Sequence, residues 1–143
     1  MKFLRLFSVM LLPWLLAGCG SVPAETIYSL AATAPATETT RAVGQRLSVG
    51  PVNVPAVLDR SQMVWRTDAQ RLVIAEQSRW AEPLPDLIGR VGTDNLVRQL
   101  PGTLPVSLPA DADIRISLDI RRLDAERGHP LVLEAVWILH GAV

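Results

Sequence analysis

Hydrophobic and polar positions along this chain fall into blocks of different period. The first is an apolar run from Leu6 to Leu16, interrupted by Ser8 and Pro13, preceded by Lys2 and Arg5 and followed by Ala17, Gly18 and Cys19. Charged, then apolar, then small residues are the layout of a secretory signal. A membrane-spanning helix is the competing reading. Eleven residues at about 1.5 Å each reach only about 16 Å, roughly half the hydrocarbon thickness of a bilayer, and Pro13 interrupts such a helix.

Beyond Cys19 the pattern turns to β structure. Thr26 to Leu30 is rich in β formers and reads as a short strand. Ala31 to Val43, rich in Ala and Thr without a clear period, reads as a mobile loop and spacer. Arg46 to Val54 places Leu47 and Val49 in one phase and Val52 and Val54 in the other, a strand broken near Gly50-Pro51. Proline inside a strand marks an edge or a bulge. Gln62 to Arg66 and Arg71 to Ala75 are two β-rich pieces joined by Thr67-Asp68-Ala69-Gln70, which predicts a hairpin, and Gln77 to Ala81 continues irregularly. From Pro83 to Leu100 the period becomes helical: Leu84, Leu87, Ile88, Val91, Leu96, Val97 and Leu100 form one face. Glu82 and Asp86 lie near its N-terminal end, Arg98 near its C-terminal end, and Pro101-Gly102 stops it. Gly89 and Gly92 each weaken this helix by about 1 kcal/mol relative to Ala, so burial against a sheet must compensate.

The clearest strand alternates Ile114, Ile116, Leu118 and Ile120 with Arg115, Ser117, Asp119 and Arg121, then shifts phase at Arg121-Arg122, which predicts a bulge. Leu131 to Leu139 is apolar on both sides and reads as its antiparallel partner, central or covered on both faces. The fold class is α+β: a mainly antiparallel or mixed sheet with an amphipathic helix packed on one face.

Composition narrows the function. The chain has 14 basic and 14 acidic residues; loss of Lys2 and Arg5 with a signal at residues 1–18 leaves a net charge of −2. Nothing here points to nucleic-acid binding. Without residues 1–18, 125 residues remain, enough for one domain that buries about two-thirds of its unfolded surface. Cys19 is the single cysteine, so an intramolecular disulfide and a cysteine metal cluster are both excluded. His129 and His140 lack neighbouring ligands at metal spacing, so no metal is expected. Asp111 and Asp113 stand in Pro-Ala-Asp-Ala-Asp, a solvated turn too short for a calcium loop. No nucleophile elbow or phosphate-binding glycine loop occurs. Arg60, Arg66, Arg71 and Arg79 recur around the first hairpin with Trp65 and Trp80. Arg60, Trp65, Arg66 and Trp80 form a candidate partner-binding surface, since both types are enriched in interface hot spots. The alternative is a solvated Arg face over two core tryptophans.

Leu16-Ala17-Gly18-Cys19 resembles the bacterial lipobox. That resemblance implies a diacylglyceryl thioether on Cys19, cleavage before it and acylation of the new amino terminus. No other cofactor is expected. Two or more acyl chains hold a protein stably at a membrane. Gly20 stands where the inner-membrane retention signal of enteric bacteria has Asp, which favours the outer membrane. The organisation is then a signal peptide (residues 1–18), a lipidated tether (residues 19–25) and one α+β domain (residues 26–143).

A wider resemblance rests on Ile27-Tyr28-Ser29-Leu30, on Val54 to Thr67 (Val-Pro-Ala-Val-Leu-Asp-Arg-Ser-Gln-Met-Val-Trp-Arg-Thr), on Leu72 to Glu76, and on Arg79-Trp80-Ala81-Glu82-Pro83-Leu84 running into the helix. The chain resembles the PqiC family, auxiliary lipoprotein components of ABC-type transport systems. The resemblance implies a non-enzymatic role at the periplasmic face of the outer membrane. It also implies a periplasm-spanning MCE-domain partner, lipid transport or envelope maintenance, and compatibility with a homo-oligomer. It further implies another strand and a C-terminal helix after the last long strand, so the domain reads as short at its C-terminus. Two other functions stand beside it: a lipid-anchored periplasmic enzyme, marked by a nucleophile, base and acid in one pocket, and a structural envelope-assembly lipoprotein.

Overall fold

The computed structural model describes residues 23–36, 44–125 and 130–141. The signal region, Cys19 and His129 lie outside the described residues. Among the described residues, seven strands and one helix follow in the order β1 (Thr26–Tyr28), β2 (Arg46–Asn53), β3 (Gln62–Arg66), β4 (Leu72–Trp80), α1 (Leu84–Gln99), β5 (Leu104–Pro105), β6 (Ile114–Asp124) and β7 (Val132–Gly141). A 3₁₀ turn, Pro109–Asp111, precedes β6. The strands form a three-stranded sheet, β1-β4-β3, and a four-stranded sheet, β5-β2-β6-β7. Both are mixed, and the expected α+β class holds.

The three-stranded sheet is built on the expected hairpin. Asp68 Oδ1 accepts the backbone N–H groups of Gln70 (2.9 Å) and Arg71 (3.0 Å), closing the turn. β4 runs on to Trp80 where irregular chain was expected. Its second half is ordered from the other side, by parallel pairing of β1 through Thr26↔Ser78, Ile27↔Arg79 and Tyr28↔Trp80.

In the four-stranded sheet β2 lies between β5 and β6, parallel to both. The register slips between Val49 and Val52, at the cis Gly50-Pro51 bond, so the break is a bulge. β5 pairs only with Arg46 and Leu47, so Pro51, which has no N–H, lies beyond its reach. Past that point α1 takes over. Val49 N–H donates to Thr93 Oγ1 (2.9 Å), and the same hydroxyl donates to Gly89 O (2.9 Å). A Cβ at Gly89 would sit 2.8 Å from Val49 O, and one at Gly92 would sit 3.3 Å from a Val49 methyl. The two glycines that cost helix propensity are therefore the points where the helix approaches β2 most closely. The buried positions of α1 are Leu84, Leu87, Gly89 and Thr93, so the contact face is rotated from the purely aliphatic one toward small residues.

β6 and β7 pair antiparallel from Ile114↔Gly141 to Asp124↔Val132, with the shift between Ile120 and Arg122 where the phase change predicted it. The expectation that β7 is central or covered is not met. It is an edge strand paired with β6, and all ten of its residues are exposed. Apolarity on both sides of a strand records a demand for cover but does not supply the covering element. The core gathers Leu47, Val49, Leu58, Ala75, Leu84, Leu87 and Ile120. Ala31 to Ala36 carry no regular element, yet Ala34 N–H donates to Asn95 Oδ1 (2.9 Å), so this stretch is held on α1 and is more than a spacer. Residues 37–43 lie outside the described residues.

Candidate functional site

The four residues proposed from sequence as a partner surface fall at opposite ends of the β3–β4 hairpin. Arg60 and Trp80 are at its base. Trp80 N–H donates to Ser61 O (2.8 Å), which brings the end of β4 beside the residue after Arg60. Arg60 and Trp80 line one cavity of about 340 Å³ with Glu82, Pro83 and Leu84 at the entry to α1. Both side chains are half-buried, and Arg60 Nε is a buried donor without a partner. A buried N–H without an acceptor is costly, so Arg60 carries an unmet polar demand beside this cavity.

Trp65 and Arg66 are at the other end, near the turn. Trp65 stands opposite Val73, half-buried. Arg66 binds Asp124 with two parallel hydrogen bonds, Nε to Oδ2 (2.8 Å) and Nη2 to Oδ1 (3.0 Å), and donates through Nη1 to Ala69 O (3.2 Å). Its backbone N–H donates to Ala125 O (2.9 Å). Arg66 thus ties the three-stranded sheet to the end of β6. Planar two-point pairing with a carboxylate is the geometry that arginine serves better than lysine. Asp124, also bonded by Arg122 Nε, is depressed below its usual carboxylate range, first by the Arg66 hydrogen bond and then by Arg122. Sequence reasoning missed this contact because Arg66 and Asp124 lie 58 residues apart.

A comparable clamp joins the starts of β2 and β6. Arg46 binds Asp113 through Nη2 (2.8 Å) and Nε (3.2 Å), and the Arg46 backbone N–H donates to the same carboxylate (2.8 Å). These hydrogen bonds hold the Asp113 carboxyl down to about 2. Asp113 is therefore a structural residue rather than a member of a bare turn. Asp111 closes the adjacent 3₁₀ turn.

Two further arrangements bear on chemistry. An open groove of about 730 Å³ runs between the β2 bulge, α1 and residues 105–109, walled by Val49, Pro51, Val52, Pro105 and Pro109 and edged by Glu82, Asp86, Asp94 and Arg90. Arg90 is paired with Glu82 (3.0 Å), which leaves the rim acidic. The Ser117 hydroxyl lies 3.2 Å from His140 Nε2 across the β6–β7 pair. Both stand on an open strand surface, Asp119 is engaged by Arg121 (2.8 Å), and neither Ser117 nor His140 lines the cavity at Arg60 or this groove. A nucleophile needs a base, an orienting group and a donor pair around one reacting atom, and this pair offers only the first contact. Among the described residues no three His, Cys, Asp or Glu side chains converge as metal ligands, and no helix is long and apolar enough to cross a membrane.

Comparison with known proteins places this geometry. The chain is 29% identical over 128 residues to "Intermembrane transport lipoprotein PqiC" of Escherichia coli (strain K12), covering 87% of this chain and 68% of that protein. The same values hold for the protein of that name from Shigella flexneri. Two crystal structures share the fold. One, of an uncharacterized protein, has a TM-score of 0.59 at 21% identity, covering 83% of this chain and 81% of that one. The other, protein XCC0632 from Xanthomonas campestris (DUF330), has a TM-score of 0.63 at 16% identity, covering 82% and 69%. The model of the family described as ABC-type transport auxiliary lipoprotein component matches residues 28–142, from the end of β1 through β7, and the chain belongs to that family.

Proposed function

We propose that this protein is a non-catalytic auxiliary lipoprotein of an MCE/ABC-type lipid transport system, anchored through acylated Cys19 at the periplasmic face of the outer membrane. The observation that carries this reading is the match of the family model over nearly the whole domain, together with a single cysteine placed where a lipobox requires it. The similarity to an intermembrane transport lipoprotein supports the transport role. The isolated Ser117–His140 pair gives an enzymatic reading little support. Tethering raises the local concentration of the domain at the bilayer, so modest contacts suffice to hold a periplasm-spanning MCE-domain protein. Arg60 and Trp80, which share a cavity, are the contacts assigned to that partner. Arg66 is committed to Asp124 and acts through the fold.

Affinity capture of the acylated protein from solubilised membranes tests this. Recovery of an MCE-domain protein is expected, with capture reduced at least about tenfold by Arg60→Ala or Trp80→Ala, in line with hot-spot truncations of about 2–4 kcal/mol. Circular dichroism confirms that the variants fold. Capture that never contains an MCE-domain protein overturns the partnership. Full processing and membrane attachment of a Cys19→Ala protein overturns the anchor.

A further inference from the structure

We infer that the tip of the β3–β4 hairpin rests on the lipid surface that holds the anchor, with Val73 and Ile74 entering the headgroup layer. This rests on the proposed acylation of Cys19 and adds to it which part of the domain meets the bilayer.

The argument is one of direction and reach. β1 is parallel to β4, with Thr26 opposite Ser78, so the chain arrives at β1 from the Leu72 end of β4. Cys19 precedes Thr26 by seven residues, which span at most about 25 Å. From Ser78 back to Leu72 is six residues of strand, about 20 Å. The chain therefore enters β1 from the side of the hairpin tip, and seven residues are long enough to let the anchor reach that tip. The opposite end of the sheet, at Trp80 and the entry to α1, lies farther from the anchor.

The surface at that end suits a bilayer. Leu72, Val73 and Ile74 are consecutive and exposed by 39, 43 and 37%, so both faces of the strand present apolar groups. Past this stretch Ala75 is buried and the strand turns polar through Glu76, Gln77, Ser78 and Arg79. β1 pairs β4 only from Ser78 to Trp80, so the apolar stretch also has an edge that β1 does not cover. At the turn itself the Arg71 side chain is 81% exposed; its Nε pairs with Asp68 (3.3 Å), and its two terminal amino groups face outward to meet lipid phosphate. Apolar side chains flanked by a basic residue bury about 5–10 Å into the headgroup boundary of interfacial proteins. Exposed β7 is longer and more apolar; it starts near this end, where Val132 pairs with the Asp124 that Arg66 binds, and Val136 stands farther along it, away from the tip.

Acylation consumes the Cys19 thiol, so a cysteine introduced elsewhere is the single reactive thiol of the mature protein. The acylated full chain carrying Val73→Cys, and separately Gln70→Cys in the turn, is labelled with an environment-sensitive fluorophore. Each is reconstituted into phosphatidylethanolamine–phosphatidylglycerol vesicles containing nitroxide-bearing lipid. Val136→Cys on β7 is the reference. Quenching at positions 73 and 70 is expected to exceed that at 136 by at least about twofold, as for side chains within 5–10 Å of the headgroups. Vesicle co-flotation with equal or weaker quenching at positions 73 and 70 overturns the docking while leaving the anchor intact. This includes a tip shielded by a second copy of the chain. Loss of co-flotation overturns the anchor and the docking together.

Discussion

β2 and β7 flank the same strand, β6, and are treated in opposite ways. β2 buries four consecutive residues, Leu47 to Gly50, while every residue of β7 is exposed. Their compositions do not explain this, since β7 is the more apolar of the two. The difference is α1. The helix contributes Gly89, Gly92 and Thr93 to β2, and the Thr93 hydroxyl replaces the strand partner that β5 no longer provides at Val49. Burial in a sheet is thus decided by which strand receives the helix, and alternation along a strand reports only what it could bury.

The largest expected effect breaks the covered side. Leu87, on the inner face of α1, is fully buried, so Leu87→Ala should cost about 2–5 kcal/mol in urea denaturation. Gly89→Ala tests the close approach. In an exposed helix it would stabilise, whereas here the added methyl meets Val49 O, and a loss of up to about 3 kcal/mol is expected. Thr93→Val keeps the shape but strands the Val49 N–H, for an expected loss of about 1–2 kcal/mol. A gain in stability from Gly89→Ala would mean that helix and strand stand farther apart than the geometry shows.

The clamps at the two ends of β6 give a pH signature. Asp124 and Asp113 have folded pKa values below their unfolded ones, so their contributions are complete above the unfolded carboxylate value. They are lost as pH falls through the folded values, toward about 2 for Asp113. Denaturation midpoints should therefore drop from about pH 4 downward, and Asp124→Asn should flatten that drop while lowering stability at neutral pH. The smallest effect belongs to the uncovered side. Leu133→Ser and Val136→Thr on β7 should change stability by no more than about 0.5 kcal/mol, because their side chains are 56 and 49% exposed. A loss above about 1 kcal/mol would show that β7 is covered in solution.

What could be read in advance follows sequence distance. The β3–β4 hairpin, α1, the β6–β7 hairpin and the slip at Arg121-Arg122 are local patterns, and each stands where the residues indicated. The parallel neighbours of β2 and β4 were not legible, because no periodicity records which distant strand supplies the hydrogen bonds. Nor was the role of Gly89 and Thr93, which read as weak helix formers until the strand beneath them is known. Of the candidate surface, Arg60 and Trp80 share a cavity. Arg66 had the right chemistry for recognition but spends it on Asp124, a partner beyond any local window.

The parallel placement of β2 against β6 has a kinetic consequence. Arg46 and Asp113, which close the start of that pair, are 67 residues apart. Contacts of such span form late, since the chain must give up loop entropy before they repay it. The two antiparallel ribbons can zip within microseconds of meeting. Leu47 and Val49, emerging early from any machinery that delivers the amino terminus first, have to wait for both the helix and the sixth strand. Until then they are uncovered apolar groups in an unfinished molecule, open to a holding chaperone.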